Sequence, residues 1–149
     1  MLIGVPKEIK KFESRVGLTP TSVGELIARG HSVVVETGAG LGIDASDEAY
    51  RAAGAEIAMA AQEIFELADL IIKVKEPQKS EWNLLRANQI LFTYLHLAAD
   101  REQARGLMMS GCTAIAYETV TDEQNGLPLL APMSEVAGRL AVIEGAACL

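Results

Sequence analysis

The chain has 149 residues, half of them hydrophobic and 22% charged, which suffices for one domain with a real core. A net charge of -7 with no Lys/Arg cluster excludes a nucleic-acid partner, whose phosphates need a basic stripe. No apolar run is long enough to cross a bilayer, and "MLIGVPKEIKK" is too polar for a secretory signal, so we expect a cytoplasmic protein. Cys112 and Cys148 lie in separate segments without metal-like spacing and read as ordinary buried thiols.

In chain order, apolar or β-branched runs at Leu2–Val5, Ser32–Glu36, Leu70–Val74, Gln89–Tyr94 and Thr113–Tyr117 read as strands. Helical patterns lie between them. Val23, Leu26 and Ile27 share one face before Gly30, Asp47–Ala53 precedes Gly54, and Ala104, Leu107 and Met108 precede Gly111. Strands alternating with helices imply parallel pairs joined by right-handed crossovers: a doubly wound α/β domain with helices on both faces of the sheet.

In such a sheet ligands bind beyond the carboxyl ends of the strands. The residues there are Lys73 and Lys75, Tyr94 and His96, and Glu118. His96 ends an apolar run, where an imidazole is either a satisfied structural group or a proton-transfer group. In "IKVKEP" alternation puts Lys73 and Lys75 on one face and Val74 on the other, with Pro77 ending the strand. Either lysine could reach the crevice or be a solvated rim charge, and spacing does not choose between them.

"VVVETGAGLGID" offers Gly38, Gly40 and Gly42 after a strand, but Ile43 stands where the dinucleotide fingerprint needs its last glycine. We read a flexible loop there, with Asp44, Ser46 and Asp47 as turn and cap residues of the next helix. The chain shows no nucleotide cradle of its own.

Six strings in order, "IGVPKEIKKFESRVGLTP", "TGAG", "KVKEP", "YLHLAADR", "AIAYETV" and "LAPMSEVAGR", together resemble the amino-terminal domain of the L-alanine dehydrogenase and nicotinamide nucleotide transhydrogenase family. The resemblance spans essentially the whole chain and implies NAD-dependent oxidative deamination of L-alanine to pyruvate and ammonium. Substrate would be held by this domain and NAD mainly by a second one.

The resemblance assigns roles residue by residue. Arg15 would clamp the substrate carboxylate, as a planar guanidinium does well. Lys75, now favoured over Lys73, would bind the carboxylate and the reacting carbon's oxygen or nitrogen. His96 would polarise the pyruvate oxygen and shuttle a proton as imine and carbinolamine form and collapse. Tyr94 would pack beside substrate, and Met133 and Ser134 would meet the cofactor, Ser134 doubling as a helix cap with Pro132. Glu118 is assigned either an ion pair or a divalent metal at a domain junction. Transhydrogenase first domains, which transfer hydride between nucleotides, are not expected to keep Lys75 and His96, so the pair favours alanine dehydrogenase.

We divide the chain into a substrate domain over 1–132 and the start of an inter-domain helix over 133–149. In that segment Val136, Leu140, Ile143 and Ala147 form an apolar stripe, and the mean hydropathy of +0.21 is high for a free-standing domain. Relatives of full length are expected to be hexamers. The chain ends at "EGAACL", before the second domain that would bring a glycine-rich fingerprint and a proton-transferring aspartate. We therefore expect these residues alone not to turn over alanine; a non-catalytic keto-acid-binding or oligomerising module is the alternative.

Overall fold

A computed structural model describes residues 1–149. Six strands form one sheet: β1 (Leu2–Val5), β2 (Ser32–Glu36), β3 (Glu56–Ala58), β4 (Leu70–Ile72), β5 (Ile90–Thr93) and β6 (Thr113–Ala116). Helices α1 (Pro20–Ala28), α2 (Asp47–Ala52), α3 (Ala61–Leu67), α4 (Arg101–Ser110) and α5 (Ala131–Ala147) complete the fold. All neighbouring strands are parallel, in the order β3-β2-β1-β4-β5-β6. This is the doubly wound arrangement expected, with its direction reversing between β1 and β4.

Local chemistry starts and stops the helices. Thr19 caps α1 with Pro20 in its first turn, Ser46 caps α2, and the Asp100 carboxylate accepts from Glu102 N and Gln103 N to open α4. Gly111 ends α4 at φ 70°, where a β-carbon would be strained. β3 and α3 were not foreseen: β3 offers a single β-branched residue, Ile57, and α3 has neither a capping side chain at Ala60 nor a glycine after Leu67.

Strand alternation divides the core between the two faces. Ile3, Val5, Val33 and Val35 pack with Val23 of α1 and Tyr50 of α2, while Val34, Ile71 and Leu91 pack with Ile64 and Phe65 of α3 and Leu107 of α4. Gly4 lets α3 lie against the central strand: a β-carbon there would stand 2.4 Å from Ile64 Cγ2.

Three details differ from expectation. β4 stops at Ile72, so strict alternation does not govern the two lysines. The Gly38–Gly42 loop is closely packed instead of flexible. A β-carbon at Gly40 would fall 2.6 Å from the Tyr50 ring, and one at Gly42 would fall 2.0 Å from the Ser14 carbonyl oxygen. Neither thiol is buried: Cys112 is half-buried, at the start of the edge strand, and Cys148 is exposed, at the end of α5.

Candidate active site

The reversal between β1 and β4 leaves a crevice at the carboxyl ends of these strands, and chain from both sides of it supplies charge. After β1 come Glu8, Lys10, Glu13 and Arg15, and after β4 come Lys73, Lys75 and Glu76. Strands β5 and β6 deliver Tyr94, His96, Tyr117 and Glu118 beside them.

Lys73 is fully buried, with Nζ 3.2 Å from Glu8 Oε2 and 3.0 Å from Glu81 Oε1. Burial raises the Glu8 carboxyl pKa against the opposing pull of Lys73 and the Val74 and Lys75 amides. The other Glu8 oxygen accepts from Val74 N (2.6 Å) and Lys75 N (3.3 Å), replacing a strand ladder and turning the chain. Lys73 is thus a scaffold ion. Lys75 is half-buried, and its ammonium makes no ion pair or side-chain hydrogen bond within the chain. The two lysines of one motif therefore have opposite environments, which spacing could not show.

Arg15 is half-exposed and forked onto Glu13, with Nε 2.9 Å from Oε1 and Nη2 2.6 Å from Oε2. Hydrogen bonding to Arg15 outweighs burial and holds the Glu13 carboxyl at a pKa of about 2, with the Lys75 charge assisting. Nη1 remains outside the fork and lies 3.6 Å from Met133 Sδ, linking the crevice to the first turn of α5.

Arg15, Lys73, Phe92, Tyr94, Tyr117 and Leu129 help line a cavity of about 530 Å3. The buried Tyr94 spends its hydroxyl on the Leu129 carbonyl (2.6 Å), so it offers a ring face and not a donor. Tyr117 meets that ring nearly edge-on, centroids 5.0 Å apart, and burial drives its phenol pKa upward so that it stays protonated. Another cavity of similar volume, on the outer face between Trp82 and α4, contains none of the candidate residues.

His96 lies on the other side of Tyr94, their rings stacked at 25° with centroids 5.9 Å apart. It lines a separate apolar cavity of about 420 Å3 with Leu95, Leu97 and Glu118. Arg15 and Tyr94 thus share one cavity, His96 faces the next, and Lys75 lines neither. The His96 backbone is left-handed at φ 50°, and Glu118 holds it there: its carboxylate accepts from Leu95 N (3.1 Å) and His96 N (2.7 Å).

That arrangement bears on two assignments. Glu118 accepts from the Leu95 and His96 amides and stands in neither of its expected settings, an ion pair or a cluster of metal-binding side chains within this chain. Ser134 does not cap α5, whose first residue is Ala131; Leu130 occupies the cap position and Ser134 is exposed within the first turn. Glu8, Glu13, Glu76 and Tyr117 went unremarked in the sequence. Their placement after β1, β4 and β6 was the available signal.

Residues 4–137 match the family model described as alanine dehydrogenase/PNT, N-terminal domain. The chain is 56% identical over 146 residues to alanine dehydrogenase of Bacillus subtilis and 55% identical to that of Methanococcus maripaludis. It is covered to 98% in both alignments, against 38% and 39% of those proteins. It therefore spans about two-fifths of the length of the curated relatives it matches. A solved L-alanine dehydrogenase superposes with a TM-score of 0.92 at 52% identity over 99% of this chain and 40% of that one. A transhydrogenase from Sinorhizobium meliloti gives 0.75 at 31% identity over 79% of this chain and 35% of that one. With its fold, its motifs and its relatives in agreement, the chain belongs to the alanine dehydrogenase/PNT amino-terminal domain family.

Proposed function

We propose that this chain is the substrate-binding part of an NAD-dependent L-alanine dehydrogenase, which interconverts L-alanine with pyruvate and ammonium. The observation that carries this reading is the unpaired ammonium of Lys75, whose charge acts on the Glu13 carboxylate that holds Arg15, with His96 across the Tyr94 ring. The Arg15 guanidinium on the wall of a cavity of small-molecule size suits a short carboxylate. Retention of both Lys75 and His96 favours this over a transhydrogenase role.

In this reading Arg15 presents Nη1 to the substrate carboxylate while Glu13 holds the rest of the fork. Lys75 neutralises charge between the carboxylate and the reacting carbon. Its neighbour Lys73 keeps the turn rigid through Glu8. His96 polarises the pyruvate oxygen and carries the proton that must move as carbinolamine and imine interconvert. Tyr94 fixes the ring by stacking, and Tyr117 offers an undissociated hydroxyl to the cavity.

NAD, when bound, supplies the hydride acceptor. The Gly38–Gly42 loop is packed against Ser14 and Tyr50 and leaves no cradle for a dinucleotide, so the contacts this chain offers are Met133, already beside Arg15, and the exposed Ser134. The nucleotide would be held chiefly by further chain, and these residues alone should form no NADH from alanine. No helix is long and apolar enough to cross a membrane, which fits a cytoplasmic enzyme. Exposed Val136, Leu140, Val142 and Ile143 on α5 fit assembly into a homo-oligomer, a hexamer for the longer protein.

The test is calorimetric titration of the chain with pyruvate, compared with Arg15→Ala and Lys75→Ala. Saturable heats lost in both variants are expected. A wild-type chain indifferent to pyruvate, or variants that bind as well as wild type, would overturn the reading.

A further inference from the structure

Glu76 directly follows Lys75, and its half-buried side chain divides its two oxygens unequally. Lys10 takes Oε1, while Oε2 is buried and has no hydrogen-bond partner. An uncompensated carboxylate oxygen is expensive, and neighbouring donors are drawn to it. The group facing Oε2 is His96 Nδ1, at 3.6 Å.

That separation is an ion-pair distance and too long for a formed hydrogen bond. It is also easily closed, because the His96 side chain is 47% exposed and Glu76 is held by Lys10. The remaining freedom of the imidazole is small. Glu118 pins the backbone at Leu95 and His96, and Tyr94 stacks against one ring face. What is left is which ring nitrogen meets the carboxylate, and here it is Nδ1.

Resting on the function proposed above, we infer that Glu76 is a positioning residue for His96: its Oε2 holds the proton on Nδ1, so that Nε2 is the nitrogen left free to exchange a proton with substrate. The charged and titratable groups around the ring are Glu76 with its Lys10 partner, Glu118 on the backbone side, and Tyr94 on the stacked face. Of these, Glu76 alone directs a free acceptor at a ring nitrogen. Lys10 thereby gains a part in the site, as the cation that fixes the direction of the Glu76 carboxylate.

Nitrogen-15 NMR of the ligand-free chain, above the ring's titration, reads the tautomer directly. His31, the other histidine, is assigned by His31→Gln. We expect the neutral His96 ring to carry its proton mainly on Nδ1. Glu76→Ala should invert that preference toward the Nε2–H form usual for free imidazole. Glu76→Gln, whose amide oxygen can still accept, should restore the Nδ1–H form. A wild-type ring mainly in the Nε2–H form would overturn the inference whether or not a variant folds, and so would an unchanged ratio in a folded Glu76→Ala. No substrate is present, so failure here leaves the pyruvate titration standing, and a failed pyruvate titration leaves this result standing.

Discussion

The chain up to Leu107 and the chain beyond it differ sharply in how they use apolar residues. All 33 buried residues belong to the first region, and none follows Leu107. The second region is no less apolar, yet Met108, Met109, Val142 and Ile143 are each more than half exposed. Its edge strand β6 is fully paired to β5, and α5 keeps two side-chain tethers to the crevice, through Tyr94 to Leu129 just before the helix and through Arg15 to Met133. Stability therefore resides in the first region, and the second carries surface suited to a partner. The candidate site lies along their boundary.

The largest effect should come from the buried ion cluster. Lys73→Met would leave Glu8 and Glu81 buried without a cation and should cost about 3–5 kcal/mol in urea unfolding at neutral pH. The loss should shrink in mild acid as the Glu8 carboxyl, already raised by burial, accepts a proton, whereas a packing defect would persist. Comparable destabilisation, about 3–5 kcal/mol, is expected for Phe65→Ala, which empties a fully buried site under α3.

A smaller effect should follow the Arg15–Glu13 pair. The folded Glu13 carboxyl is depressed to about 2 from an ordinary 4.5, so its contribution is complete above the ordinary value and is lost as pH falls toward 2. Urea midpoints measured between these limits should fall less steeply for Glu13→Gln than for wild type; equal slopes would remove the pair from the acid response. Smallest of all, Val142→Ser on α5 should leave the unfolding free energy within about 0.5 kcal/mol of wild type. A large loss there would mean that the helix packs on the core and would erase the contrast between the regions.

Much of this was legible in the sequence. Five of the six strands, the cap at Ser46 and the glycine stops follow from local chemistry that the final fold leaves intact. β3 and α3 were missed for want of such signals: a single β-branched residue in β3, and neither a capping side chain nor a glycine stop on α3. The flexible reading of the Gly38–Gly42 loop failed for a different reason. Glycine in a sequence signals backbone freedom or close approach equally well, and Ser14 and Tyr50, remote in the chain, decide for close approach.

At the site, residue types were visible and their partners were not. Spacing gave Lys73 and Lys75 equal claims, and only the burial of Glu8 and Glu81 around Lys73 separates them. Glu118 offered a carboxylate at a strand end, which reads as an ion pair or a metal ligand; in the fold it instead accepts from the Leu95 and His96 amides at the left-handed turn, a role only the tertiary structure shows.

The most direct measurement pairs urea unfolding with pyruvate titration in Lys73→Met and Lys75→Met. We predict a crossing pattern. Lys75→Met keeps wild-type stability and loses pyruvate binding, while Lys73→Met is strongly destabilised and, where still folded, retains measurable affinity. A stable Lys73→Met that no longer binds, or a Lys75→Met that binds normally, would contradict the division of the two lysines into scaffold and site.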